Sequence, residues 1–142
     1  MHASNLVVSI REKDNAAIFR AWGGDKLKAE RVDLVKHVQD LAFMGFWEVL
    51  KNIRTVVSNI RFCKSDILRF SPDALILVDY PGFNIHIAKF AKRNGIKVFY
   101  YISPQIWAWK KNRIKKIKKL IEKIFVIFPF EKKFFKKNNL EV

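Results

Sequence analysis

The chain has 142 residues, half of them hydrophobic, which is enough for one domain with its own core and too apolar for a disordered protein. Its 28 Lys and Arg outweigh 13 Asp and Glu, and the formal charge of +15 favours an anionic partner such as nucleic acid, an anionic lipid surface or a phosphorylated substrate. The single cysteine, Cys63, excludes an internal disulfide and fits a reducing compartment. No apolar run approaches the roughly 20 residues that span a bilayer.

Helical and extended patterns alternate along the chain. Helical spacing covers 3–13, 25–30, 84–94, 106–121 and 130–138, and a long amphipathic pattern runs from 46 to 68. Extended patterns cover 17–22, 74–78, 96–102 and 123–128, while 32–38 is ambiguous and fits a short strand. Strands separated by helices imply right-handed βαβ units. We therefore predict an α/β fold with a Rossmann-like, doubly wound parallel sheet.

Asp79 directly follows the apolar run 74–78, which is short, partly β-branched and bounded by two prolines. Such a run is typical of a buried parallel strand. The carboxyl ends of parallel strands open into the crevice where ligands bind, so a carboxylate at this position could act as a general base. The position fits equally well a residue that caps the following turn or helix.

Three further polar residues lie at strand ends. Asn84 follows the same strand and could orient a substrate, brace the turn or cap the helix predicted at 84–94. Ser103 and Gln105 follow the strand predicted at 96–102, near the start of the next helix, where backbone N–H groups favour anions. The hydroxyl and amide could bind a sugar or phosphate there, or Ser103 could cap the helix.

A basic segment runs from residue 110 to residue 137. It holds twelve Lys and Arg against two Glu and supplies ten of the fifteen net positive charges. Lys111, Lys115 and Lys118 fall off an apolar stripe that contains Ile114, Ile117 and Ile121, which is the pattern of a helix on an anionic membrane surface. Nucleic-acid phosphates would suit the same charges. A genome whose proteins are generally rich in lysine would also produce these charges.

Four motifs in order and spacing resemble those of the lipid-A-disaccharide synthase family. They are residues 40–50 (DLAFMGFWEVL), 75–84 (LILVDYPGFN), 100–109 (YYISPQIWAW) and 128–132 (FPFEK). The resemblance covers essentially the whole chain. Family members are GT-B glycosyltransferases with two Rossmann-like domains that face a cleft, and this chain resembles the first domain alone.

The resemblance implies a reaction and a set of roles. The family transfers 2,3-diacylglucosamine from UDP-2,3-diacylglucosamine to 2,3-diacylglucosamine 1-phosphate, in the cytoplasm at the inner membrane face. Asp79 matches the aspartate of the family motif, and we assign it the role of general base. The apolar turn around Met44 and Gly45, with Phe43, Phe46 and Trp47, resembles an acyl-chain or membrane contact, for which core packing is the competing explanation. His, Cys, Asp and Glu show no metal-ligand spacing, so no metal or other cofactor is expected.

Residues 2–6 resemble the helix that follows a Gly-rich loop, Gly-Glu-(Ala/Thr)-Ser-Gly-Asp, in the family. We therefore expect residues 1–142 to form a single incomplete N-terminal, acceptor-side domain that lacks its first strand and the C-terminal nucleotide-sugar domain. Such a fragment is expected to be inactive alone. Two other interpretations stay open: a small basic nucleic-acid-binding module, which explains only the charge, and a non-functional gene remnant.

Overall fold

A computed structural model of the protein describes residues 2–37, 53–102, 117–137 and 140–142. The chain divides into two compact units, residues 1–57 and 58–142. All strand pairs in the described residues are parallel, two strands in the first unit and three in the second. The predicted α/β class with parallel sheets is therefore confirmed.

The first unit contains α1 (His2–Arg11), β1 (Arg20–Gly23), α2 (Asp25–Ala29) and β2 (Asp33–His37). β1 and β2 pair in parallel, with Arg20 opposite Asp33, and these two side chains also form an ion pair. A Cβ atom at Gly23 would collide with the Leu27 side chain, so glycine lets α2 turn tightly back from the end of β1. The small core of this unit is formed by Val7, Leu27 and Val32, with Ala3, Phe19 and Ala21 packed against it.

The second unit is built on a three-stranded sheet. Helix α3 (Ile53–Phe70) leads into it, followed by β3 (Ala74–Val78), α4 (Pro81–Arg93), β4 (Lys97–Tyr101), β5 (Lys123–Phe125) and α5 (Pro129–Lys137). The strand order is β3-β4-β5, and the register sets Val78 opposite Tyr101. Thus β3, α4 and β4 form one βαβ unit, and the carboxyl ends of the three strands lie at the same edge of the sheet.

The core of the second unit is centred on one face of β4, the central strand, where the buried side chains alternate with partly buried ones. Val98 and Tyr100 are fully buried there, and Ile124 of β5 is buried beside them. The inner face of α4 supplies further buried residues, because its apolar positions recur at helical spacing. Each fully buried aliphatic or aromatic side chain stabilises the fold by about 1.5–3 kcal/mol. Other buried apolar residues of this unit are Cys63, Ile67, Leu77, Ile87, Ala88, Ala91, Ile117, Ile121, Phe135 and Leu140.

Local chemistry defines the end of α4 and the start of α5. At the end of α4, Gly95 has φ +75°, and the N–H groups of Gly95 and Ile96 donate to the carbonyls of Lys92 and Ala91. This is the Schellman arrangement, so the predicted helix stop at Asn94-Gly95 is confirmed. At the start of α5, buried Glu131 accepts a hydrogen bond from the Phe128 N–H at 3.2 Å, as the third residue of a capping box does.

The predicted boundaries differ from the structure by three residues at three places, and by one or two residues at several others. The strand predicted at 17–22 begins at Arg20, and the one predicted at 123–128 ends at Phe125, because the N–H of Phe128 bonds to Glu131 of the next helix. The helix predicted at 84–94 begins at Pro81, whose fixed φ suits the first helical position. Strand 74–78 is confirmed in full, and 32–38 contains the strand Asp33–His37. Residues 46–52 and 106–116 of the predicted helices lie outside the described residues.

Candidate functional site

The turn between β3 and α4 has an unusual backbone. Asp79 and Tyr80 both adopt the left-handed conformation, with φ 48° and φ 43°. Asp enters this region more readily than most residues because its short polar side chain can bond locally, whereas Tyr has no such advantage. Two consecutive left-handed residues let the chain leave the strand and enter the helix within two positions. The turn thereby holds Asp79 at the carboxyl edge of the sheet.

Two side chains brace this turn from inside the fold. The Asn84 Nδ2 donates hydrogen bonds to the carbonyls of Val78, at 3.2 Å, and Asp79, at 2.5 Å. The Tyr100 hydroxyl, on the neighbouring strand β4, donates to the same Asp79 carbonyl. Tyr100 is fully buried and Asn84 is 9% exposed, so both donors come from packed positions.

The free-energy cost of the two left-handed residues and the stabilisation from the hydrogen bonds to this turn are similar in size. A left-handed conformation costs about 1–2 kcal/mol for an ordinary residue and less for Asp, so Asp79 and Tyr80 together cost at most about 2–4 kcal/mol. A hydrogen bond contributes about 0.5–1.5 kcal/mol net, so the three bonds from Asn84 and Tyr100 contribute about 1.5–4.5 kcal/mol. The turn is therefore maintained by its hydrogen bonds, and the loss of one would leave part of the strain uncompensated.

The Asp79 side chain itself is exposed. The N-cap of α4 is Tyr80, so the alternatives in which Asp79 or Asn84 caps this helix are wrong. The carboxylate accepts no hydrogen bond from any of the described residues. A carboxylate that is open to solvent and carried on a braced backbone can accept a proton from a bound hydroxyl and pass it to water.

Tyr100 is held in its protonated form. Burial raises the pKa of the Tyr100 hydroxyl; the hydrogen bond with the Asn84 side chain lowers this pKa, and the nearby Asp79 carboxylate raises it. Burial dominates, and the net shift is upward. The hydroxyl consequently remains a hydrogen-bond donor to the Asp79 carbonyl throughout the pH range in which enzymes work.

Comparison with known proteins places this chain in a family. Residues 1–142 match the lipid-A-disaccharide synthetase family. The chain belongs to that family. It is 42% identical over 142 residues to the lipid-A-disaccharide synthase of Geobacter metallireducens, 39% identical over 142 residues to that of Trichlorobacter lovleyi, and 38% identical over 139 residues to that of Coxiella burnetii. The chain spans 37% of the length of each of these relatives.

Most of the other residues expected to have roles in this family lie outside the described residues. They are Phe43, Met44, Gly45, Phe46, Trp47, Ser103, Gln105, Lys111 and Lys115. Lys118 is described: it is exposed in the helical stretch 117–120, whose Ile117 is buried. This agrees with the predicted separation of a basic face from an apolar stripe, while membrane contact stays a prediction.

Cys63 is a packing residue, as predicted. It lies buried in α3, and burial, with a smaller effect of nearby Asp66, raises the pKa of its thiol to about 12. A thiol with this pKa is a poor nucleophile at neutral pH. Among the described residues, no three His, Cys, Asp or Glu side chains are grouped as metal ligands. In the same part of the chain, no helix is long and apolar enough to cross a bilayer.

Two features of the site were not predicted from the sequence. Tyr100 is part of a family motif, but no sequence pattern links its hydroxyl to a carbonyl that precedes it by 21 residues. The second feature is an apolar rim at the carboxyl edge of the sheet, where large apolar side chains remain about half exposed. The rings of Phe128 and Phe130 stack there with centroids 5.5 Å apart. The rim consists of Phe125, Ile127, Phe128 and Phe130.

Proposed function

We propose that this chain is the N-terminal, acceptor-side domain of a lipid-A-disaccharide synthase, and that Asp79 is its general base. The exposed Asp79 carboxylate on a braced turn at the sheet's carboxyl edge is the observation that carries this proposal. Membership of the family supplies the reaction class. The nucleotide sugar would be bound by the C-terminal domain of the GT-B fold, and residues 1–142 alone would not transfer sugar.

The proposed chemistry follows from the acceptor. The 6-hydroxyl of 2,3-diacylglucosamine 1-phosphate is a weak nucleophile while it holds its proton. Asp79 removes this proton as the oxygen bonds to the anomeric carbon of the donor sugar, and the bond from that carbon to UDP breaks. The products are the β-1,6 disaccharide and UDP. Because the Asp79 side chain is exposed, the proton can then pass to water.

The surface around the site suits acylated, anionic substrates. The apolar rim can contact acyl chains, because it exposes aromatic and aliphatic side chains at the end of β5, at the same edge of the sheet as Asp79. The excess of Lys and Arg favours an anionic membrane surface on which such lipids lie. We therefore propose that the protein acts as a peripheral protein at the cytoplasmic face of the inner membrane.

The test is a chimera in which residues 1–142 replace the matching segment of the Geobacter metallireducens enzyme. Asp79→Asn preserves the shape of the side chain and removes the base, so kcat should fall by about 10²–10⁴-fold. Asp73→Asn is the matched control, because Asp73 is also exposed and lies just before the same strand, at its opposite end.

Each outcome has a separate meaning. Loss of turnover in Asp79→Asn but not in Asp73→Asn would support Asp79 as the base. If Asp79→Asn kept a turnover near that of the unsubstituted chimera, the base would lie elsewhere. A folded chimera that forms no disaccharide would contradict the proposed activity for this chain.

A further inference from the structure

We propose that Tyr100 is a positioning residue for Asp79: with Asn84, its hydroxyl holds the Asp79 backbone so that the carboxylate stays in reach of the acceptor hydroxyl. This inference rests on the proposed function of Asp79 and assigns a role to a residue that need not touch the substrate. Its basis is the convergence of the Tyr100 and Asn84 donors on the Asp79 carbonyl.

The geometry links the hydroxyl to the carboxylate through one residue. The carbonyl that Tyr100 binds and the carboxylate that would act as base both belong to Asp79, in a left-handed conformation with φ 48°. If that peptide rotated toward the commoner β or right-handed regions, the Cα–Cβ bond would turn with it. A bond to the carbonyl therefore also fixes the direction of the Cα–Cβ bond, from which the carboxylate extends.

Tyr100 is well placed to transmit rigidity to the turn. It lies in the central strand β4, opposite Leu77 of β3, and its side chain is fully buried. Strand pairing on both sides of β4 keeps the ring in place. The turn is thus held in place by a buried residue of the central strand, whereas a loop held only by its own residues would move more freely.

Burying the Tyr100 hydroxyl costs free energy of folding, and packing alone would favour phenylalanine at this position. A buried hydroxyl without a partner destabilises a protein, so it is tolerated here because it bonds to the Asp79 carbonyl. Burial also raises the pKa of this hydroxyl, which keeps the proton that the hydrogen bond requires.

The experiment compares two tyrosines that are adjacent in β4. In the chimera, Tyr100→Phe removes only the bracing hydroxyl and should lower kcat by about 10–100-fold, with KM changed less than about twofold, because a misplaced base affects the transition state more than binding. Tyr101→Phe removes the same atom from the next residue, whose ring packs edge-on against Phe125 at 6.4 Å, and should leave kcat unchanged.

A double-mutant cycle separates positioning from general loss of structure. If Tyr100 acts through Asp79, adding Tyr100→Phe to Asp79→Asn should lower kcat no further. Additive losses, or an unchanged kcat in Tyr100→Phe, would refute the positioning role even if Asp79→Asn is inactive. Near-normal turnover in Asp79→Asn would instead refute the proposed base itself.

Folding is checked by circular dichroism and by the thermal midpoint of each variant. If Tyr100→Phe fails to fold, Asn84→Ala removes the other donor from helix α4 and is judged by the same cycle. A non-additive fall in kcat with Asp79→Asn would support the bracing of this carbonyl, and an additive fall or no fall would refute it.

Discussion

Two glycines at opposite ends of α4 should respond to alanine with opposite signs. Gly95 ends the helix at φ +75°, and in the part of the chain that the structure describes no atom beyond its chain neighbours lies within 4 Å of a Cβ placed there, so we expect the effect of Gly95→Ala to be conformational. The left-handed conformation costs about 1–2 kcal/mol for alanine, and the smaller entropy of its unfolded chain offsets part of this. We expect a net loss of about 1 kcal/mol in the free energy of unfolding.

Gly82 lies inside the first turn of α4, and its φ is not in the left-handed region. Among the described residues, no atom outside its own stretch of helix lies within 4 Å of an added Cβ. Alanine there should stabilise the chain by about 0.5–1 kcal/mol, because it loses less entropy than glycine on entering a helix. The two substitutions add the same methyl group to open space, so each controls for the other.

Urea unfolding of the 142-residue chain, followed by the helical circular dichroism signal, measures both effects. With a slope of about 2 kcal/mol/M, Gly95→Ala should lower the midpoint by about 0.5 M, and Gly82→Ala should raise it by about 0.25–0.5 M. If both variants move the midpoint in the same direction, the Schellman end of α4 or the helical placement of Gly82 is incorrect.

Two further predictions concern Cys63 and the basic segment. Because the pKa of Cys63 rises from 9.0 to about 12, its thiolate fraction at pH 8 should be roughly a thousandfold lower than in the unfolded chain. Alkylation by iodoacetamide, measured by mass spectrometry, should therefore be slow until urea unfolds the second unit. Fast alkylation of the folded chain would show that the thiol is not buried. Changing Lys111, Lys115 and Lys118 to Gln should weaken binding to anionic vesicles, and about 150 mM salt should weaken binding of the parent chain too. Tighter binding to duplex DNA than to vesicles would instead favour a nucleic-acid module.

Local chemistry explains why several elements could be predicted from the sequence. Strand 74–78 is a continuous apolar run between two breakers, and its bounds match the structure in full. The stop of α4 at Asn94-Gly95 follows from the ability of glycine to adopt positive φ. The helix start was less predictable: Pro81 can open a helix or a turn, and only the left-handed pair Asp79-Tyr80 brings the chain round early enough for a helix to begin there.

By itself, the sequence determined the family, the α/β class and the position of Asp79 at the end of a strand, because motifs, hydrophobic periodicity and breakers are local in the chain. The tertiary structure decided how that aspartate is held. Tyr100 is separated from Asp79 by 21 residues, and only the parallel pairing of β3 with β4 brings its hydroxyl to the Asp79 carbonyl. A hydrogen bond between neighbouring strands depends on register and on burial of the ring, and neither quantity is encoded at any single position.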